Sequence, residues 1–144
     1  MTTVTAIRTT AEQSVLAYFN ANASLFPNTL IHVGQTDGLR SATMLILACE
    51  SAGAPSDFGA ESYGNFDLTF KIYIFSSADD STLDDHRQRV ELVQALMQDG
   101  ATLKSYWTQG ALYKSWFLND EEGHADRRFG NVLTFTMFAV YPSA

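Results

Sequence analysis

The stretch Phe66-Asp-Leu-Thr-Phe-Lys-Ile-Tyr-Ile-Phe75 decides the fold class of this 144-residue chain. Successive side chains of a β-strand point to opposite faces, so a strand with one buried face carries apolar residues at every second position. One of the two sets here is wholly apolar and consists of Phe66, Leu68, Phe70, Ile72 and Ile74. The alternation therefore predicts a strand over residues 66–75 with that set in the core.

Two helices are predicted, one before and one after this strand. Apolar residues recur at helical spacing over about residues 3–20 and again over about residues 82–98. We expect Thr2 or Thr3 to cap the first helix. The pattern Ser81-Thr-Leu-Asp84 predicts a capping box at the start of the second helix, and Gly100 predicts its end. The predicted buried stripes are Val4, Ile7, Ala11, Val15 and Tyr18 in the first helix and Leu83, Val90, Val93 and Met97 in the second.

Four further segments complete the predicted sheet. Short or alternating apolar runs predict strands at residues 29–34, 43–49, 111–118 and 131–141, the second of them buried inside the sheet. Residues 50–65 and 119–128 are rich in Gly or polar side chains, which predicts two long loops. The sum predicts an α+β fold in which a mixed, largely antiparallel sheet carries two main helices, within a single domain spanning residues 1–144.

Composition excludes several classes of partner. The 16 acidic and nine basic residues give a net charge of −7, which argues against tight nucleic-acid binding and against attachment to an anionic membrane surface. The single cysteine, Cys49, cannot form a disulfide within the chain and lies in an apolar run. We interpret it as a small buried side chain in a protein made in a reducing cytoplasm.

No residue pattern predicts catalysis. Carboxylates crowd around His86 (Asp79, Asp80, Asp84 and Asp85), but this segment lacks the ligand spacing of a calcium loop. They also crowd around His124 (residues 119–126), where a metal site would need further ligands from elsewhere and only His32 and His86 remain. Three histidines and one cysteine do not fit the usual zinc patterns, and there is no Gly-x-Ser-x-Gly or phosphate-binding Gly-rich motif. We predict no catalytic residue, no metal site, no cofactor and no enzymatic activity.

The aromatic residues of the C-terminal third predict core and subunit contacts. Tyr106, Trp107, Tyr113, Trp116 and Phe117 are accompanied only by Lys104 and Lys114, too few cations for base stacking on nucleic acid. The candidate interaction residues of the whole chain are Phe58, Tyr63, Trp116, Arg127 and Arg128. A different class of function remains open, in which a curved sheet encloses a small-molecule pocket and presents Asp67, His32 or Tyr73.

A family resemblance rests on the order of elements and on three quoted stretches. They are Phe70-Lys-Ile-Tyr-Ile-Phe-Ser-Ser-Ala-Asp-Asp80, Asp85-His-Arg-Gln-Arg-Val-Glu-Leu-Val-Gln-Ala-Leu96 and Arg127-Arg-Phe-Gly-Asn-Val-Leu-Thr-Phe-Thr-Met-Phe-Ala-Val140. Over about residues 1–141 the pattern resembles the tail-terminator and tail-completion family of long-tailed phages, which includes the minor tail protein U-like subunits.

This resemblance implies a structural virion protein that forms a ring, expected to be hexameric, at the head–tail junction. Such a ring caps the tail tube and contacts the tail tube protein and the neck or head-completion proteins. The resemblance also implies synthesis in the host cytoplasm and location in the virion. DNA would pass through an acidic lumen without specific binding. A head–tail adaptor, or neck subunit, is the alternative within phages.

Overall fold

Five strands and three helices form the described part of the chain in the computed structural model, which covers residues 6–34, 43–53, 65–79, 81–125 and 128–140. The strands are β1 (Leu30–Val33), β2 (Met44–Gly53), β3 (Asn65–Ser77), β4 (Ala111–Ala125) and β5 (Arg128–Val140). The helices are α1 (Ile7–Ala21), α2 (Leu83–Gln98) and the short α3 (Gly100–Ser105), with a 3-10 turn at Ala23–Leu25. In these ranges, none of the helices has the length and apolar character needed to cross a membrane.

The five strands form one sheet in the order β1-β2-β3-β5-β4. Only β1 and β2 run parallel, and the other three pairings are antiparallel. The predicted α+β class, with a mixed and largely antiparallel sheet, is therefore confirmed. The interior position of β2 is also confirmed, but this strand continues to Gly53, so residues 50–53 are not part of a loop. Residues 54–64, the rest of that predicted loop, lie outside the described residues.

The core lies between one face of the sheet and the helices. Leu68, Phe70, Ile72 and Ile74 of β3 are fully buried there, as their alternation predicts. They belong to one apolar cluster with Val90, Val93 and Met97 of α2, which confirms the expected contact of strand and helix.

Helix α1 begins without a side-chain cap. Its N-cap is Ala6, whereas the predicted caps Thr2 and Thr3 lie outside the described residues. The helix is held to β2 at a bulge between Cys49 and Ser51. Arg8 Nε donates to the carbonyl oxygen of Cys49 over 2.9 Å, and Glu12 Oε2 accepts the Cys49 backbone N–H over 2.9 Å. Both backbone groups of Cys49 are thus bonded to α1.

Helix α2 starts one residue later than the predicted capping box. The box joins Thr82 to Asp85, not Ser81 to Asp84. This shift places His86 at the first buried position of the stripe His86, Val90, Val93 and Met97, and it leaves Leu83 38% exposed. The predicted end of this helix is confirmed, since α2 stops at Gln98 with Asp99 as its C-cap and Gly100 directly after it. Gly100 also begins α3, because Asp99 caps a new turn by accepting from Thr102.

The predicted loop at residues 119–128 is mostly strand. β4 continues to Ala125 and pairs with β5 as far as Ala125↔Arg128, which leaves only residues 126–127 between the strands. Two of its acids have partners that stabilise an extended backbone. Asp120 accepts a 2.6 Å hydrogen bond from Asn131, and Glu122 accepts two from the Arg87 guanidinium. Polarity alone was therefore a misleading sign of a loop.

Candidate functional site

The face of the sheet that points away from the helices carries an aromatic ladder at its centre. The rings of Tyr73 and Phe75 on β3 stack with their centroids 6.5 Å apart. The guanidinium carbon of Arg128 lies 4.8 Å from the centre of the Phe75 ring. Gly130 makes room for this ring, since a Cβ there would lie 3.3 Å from it. Arg128, a predicted interaction residue, is therefore half-buried against its own sheet.

Glu50 connects β2 to β3 on this same outer face. Its carboxylate accepts a 2.6 Å hydrogen bond from the Tyr73 hydroxyl and lies 3.2 Å from Lys71 Nζ. The hydrogen bond to Glu50 raises the pKa of Tyr73 to about 12, because loss of the phenolic proton would place two negative charges together. The same bond lowers the pKa of Glu50.

The three polar residues that the alternative, small-molecule-binding function would use do not lie close together. His32 and Tyr73 lie on the outer face in the same row, separated by the paired residue Ile46. The hydroxyl of Tyr73 is already bonded to Glu50. Asp67 is exposed and lies six residues from Tyr73 along β3, about 20 Å away at 3.3 Å per residue.

A cluster of large side chains lies at the far edge of the outer face, on β4 and the neighbouring β5. We call it the aromatic patch; it consists of Tyr113, Lys114, Trp116 and Phe138 and lines a shallow groove of about 430 Å³. Tyr113 is 53% and Trp116 46% exposed, and the Tyr113 ring lies 5.7 Å from that of Phe138. Tyr and Trp side chains of this kind are typical anchors of protein–protein interfaces.

Strand β4 forms an edge of the sheet and is irregular there. Its pairing with β5 shifts between Leu112 and Lys114 and again between Phe117 and Asn119. The residue inside the second bulge, Leu118, is 60% exposed. Bulges and a lysine on an edge strand disfavour continuous pairing with a strand of another molecule. Contacts made by this edge therefore depend on side chains more than on backbone hydrogen bonds.

A buried polar network lies on the opposite, helix-covered face. His86 is fully buried, with Nδ1 2.7 Å from Ser76 Oγ and Nε2 2.7 Å from Asn131 Oδ1. Arg89 donates to Ser76 Oγ at one end, and Asn131 Nδ2 donates to Asp120 at the other. The network joins α2, β3, β5 and β4.

The groups at the two ends of the network, Arg89 and Asp120, fix the direction of every hydrogen bond between them. A carboxylate only accepts, so the amide nitrogen of Asn131 must face Asp120 and its oxygen must accept from His86 Nε2–H. Neutral His86 then accepts at Nδ1 from the Ser76 hydroxyl, which accepts from Arg89. Burial lowers the pKa of His86, and its bond to Asn131 opposes this effect. Ser76 and His86 have no exposed surface, so the middle of the network holds these elements together, whereas Asn131 and Asp120 at its other end line a surface groove of about 310 Å³.

The structure describes two of the predicted interaction residues, Trp116 and Arg128, and they lie apart, since Trp116 pairs with Thr136, eight residues along β5 from Arg128. Trp116 belongs to the aromatic patch, whereas Phe58, Tyr63 and Arg127 lie outside the described residues. Lys114 and Phe138 were missed because neither a single lysine nor a strand phenylalanine indicates a surface on its own. Of the carboxylates near His86 in sequence, Asp80 lies outside the described residues. Asp79, Asp84 and Asp85 do not bind its ring, which faces the core and bonds to Ser76 and Asn131. Within the described ranges there is no group of three or more His, Cys, Asp or Glu side chains placed to hold a metal ion.

Comparison with solved structures gives a match along nearly the whole chain. The matched chain belongs to a structure of the virion of a native gene transfer agent (GTA) particle, with a TM-score of 0.64 and 16% sequence identity. The alignment covers 94% of this chain and 95% of the other. The two chains share a fold. No family model matches the sequence, and no curated protein matches it.

Proposed function

We propose that this protein is a structural subunit of a phage-like virion, and that it forms a ring at the head–tail junction that caps the tail tube. The observation that carries the proposal is the end-to-end likeness to a chain of the GTA virion, with a TM-score of 0.64. The alignment spans 94% of this chain and 95% of the other. It supports the same unit of architecture in both particles.

The surface chemistry supports assembly. Three of the seven exposed large apolar side chains in the described ranges, Tyr113, Trp116 and Leu118, lie within six residues of β4. A ring needs head-to-tail contacts, in which one surface of a subunit meets a different surface of its neighbour. The concentration of large side chains at one edge of the sheet provides one such surface.

The role is non-catalytic in this proposal, and no cofactor takes part. The buried His86 is used for holding α2 on the sheet, and the Tyr73 hydroxyl is bonded to Glu50. The excess of acids would line the lumen and repel DNA phosphates, so that DNA passes without specific binding.

Two measurements test the proposal. The mass of the purified protein in solution, at rising concentration, should approach six times the 15.9 kDa of the subunit. A reconstruction of the assembled particle should place the ring between the tail tube and the head. A ring bound to the portal and separated from the tube would instead identify a neck adaptor. A chain that is monomeric in solution and absent from particles would end the proposal.

A further inference from the structure

We propose that the aromatic patch on β4 binds the outward face of α2 of a second copy of this chain. The inference rests on the proposed ring, and it names the two surfaces that meet in it. One surface is the groove of about 430 Å³ lined by Tyr113, Lys114, Trp116 and Phe138. The other is an acidic stripe on α2, formed by the exposed residues Asp84, Gln88, Glu91 and Ala95.

The acidic stripe faces away from the sheet for a geometric reason. Each of its members lies two residues before a member of the buried stripe His86, Val90, Val93 and Met97. Two residues of an α-helix rotate the side chain by about 200°, so the stripe lies on the opposite side of α2 from the core. Gln88 Nε2 donates to Asp84 Oδ2 over 2.8 Å, which fixes the first turn of the stripe. Leu92, beside it, is 40% exposed and adds apolar area.

The aromatic patch complements this stripe in charge and in character. Lys114 is exposed between Tyr113 and Trp116 and supplies the positive charge that the carboxylates of Asp84 and Glu91 need. The aromatic rings supply apolar area for Leu92 and Ala95. Asp67, the acid two strands away across Phe138, lies about 10 Å from Lys114 at the usual strand spacing. Among the described residues, Lys114 takes part in neither of the two ion pairs.

The placement of the two surfaces allows head-to-tail contact between copies of the chain. The patch lies on the face of the sheet that points away from the helices, and the stripe lies on the outermost side of the helix layer, so the two lie on opposite sides of the subunit. Contact between them is heterologous, which is the type of contact that a cyclic assembly requires. The alternative, pairing of two β4 edges, is disfavoured by the bulges at Leu112/Lys114 and Phe117/Asn119.

Exchange of the two charges is the decisive experiment. Lys114→Glu and Glu91→Lys should each weaken self-association of the full chain about tenfold or more, because each places like charges face to face. The double variant K114E/E91K should recover most of the wild-type association, since the pair is restored with its signs reversed. Sedimentation velocity over a concentration series measures the association, and chemical unfolding verifies that each variant has wild-type stability.

Matched controls make the same charge changes elsewhere. Lys104→Glu on α3 and Glu121→Lys, seven residues along β4 from Lys114, should leave association unchanged. Trp116→Ala should weaken it without any change in charge. If the wild-type chain assembles and K114E assembles equally well, the docking proposal is wrong while the ring remains. If the single variants fail and the double variant also fails, the patch does not bind the acidic stripe. A wild-type chain that never assembles overturns the proposed function itself.

Discussion

His86 donates its Nε2 hydrogen to Oδ1 of Asn131 over 2.7 Å, and this one bond links helix α2 to strand β5 inside the core. The bond is part of a directed series that runs from the guanidinium of Arg89 through Ser76, His86 and Asn131 to the carboxylate of Asp120. Each group in the series donates a hydrogen bond to the next one, so every buried donor that forms part of it has an acceptor. The series fixes where α2 sits along the sheet.

Removing the amide of Asn131 should destabilise the fold. Asn131→Leu leaves His86 Nε2–H without its acceptor inside the core, which costs about 1–3 kcal/mol of the free energy of unfolding. Asn119→Leu is the matched control, because Asn119 is exposed on the neighbouring strand, and its effect should stay within about 0.5 kcal/mol. Chemical unfolding curves measure both. Equal effects of the two substitutions would mean that the network contributes nothing.

Acid should weaken the fold through His86. Burial lowers the pKa of this histidine from the usual 6.5, with Arg89 acting in the same direction and Asn131, Glu122 and Asp120 opposing. Below pH about 6.5 the unfolded chain therefore binds a proton that the folded chain does not, and the free energy of unfolding falls until the pH reaches the lower pKa of the folded state.

The histidine variants identify the source of that pH dependence. The free energy of unfolding is measured at pH about 7.5 and about 5.5 for the wild type and two variants. His86→Gln should lose the component of the pH dependence that His86 causes, whereas His32→Gln, on β1, should retain it. A wild-type stability that is flat between these two pH values would show that His86 titrates normally.

The sequence was sufficient for elements whose own pattern is strong. Five alternating apolar residues predict β3, and apolar residues at helical spacing predict both main helices. The buried network could not be predicted, because its members lie on four different elements and become neighbours only when α2 packs on the sheet and β4 pairs with β5. They are Ser76, His86, Asp120 and Asn131. The polar end of β4 was mistaken for a loop for the same reason. Two of its acids, Glu122 and Asp120, are bonded to Arg87 and Asn131, and neither partner can be recognised from the local sequence.

The start of α2 can be tested directly, because sequence and structure favour adjacent residues. Thr82 is the N-cap: its hydroxyl accepts from the Asp85 N–H, while the Asp85 carboxylate accepts from the Thr82 N–H. Thr82→Ala should cost about 1 kcal/mol, a typical loss for a helix cap. Ser81→Ala should cost much less. A larger loss of stability for Ser81→Ala than for Thr82→Ala, in thermal or chemical unfolding, would show that Ser81 is the N-cap.

The core face of β3 is tested by substitution at its centre. Ile72 is fully buried and pairs with Leu133 of β5. Ile72→Ala should lower the free energy of unfolding by about 2–5 kcal/mol, because the removed atoms leave a cavity. Asp67→Ala, on the exposed face of the same strand, should change it by less than about 0.5 kcal/mol. A loss under half a kcal/mol for I72A would place Ile72 on the surface.

The thiol of Cys49 should report whether α1 is attached to the sheet. Burial raises its pKa to about 11, against the opposing charge of Arg8, and the residue is 1% exposed. At pH about 8 only about one thiol in a thousand is then ionised, and a thiol-specific reagent should react about a hundredfold more slowly than with an exposed cysteine. The unfolded chain should react quickly at one thiol per chain, since Cys49 is its single cysteine.

Glu12→Ala removes the acceptor of the Cys49 backbone N–H and should speed the reaction of the native protein. Gln13→Ala, exposed on the same helix, should not. Rapid reaction of the native wild-type chain would mean that α1 does not cover this thiol.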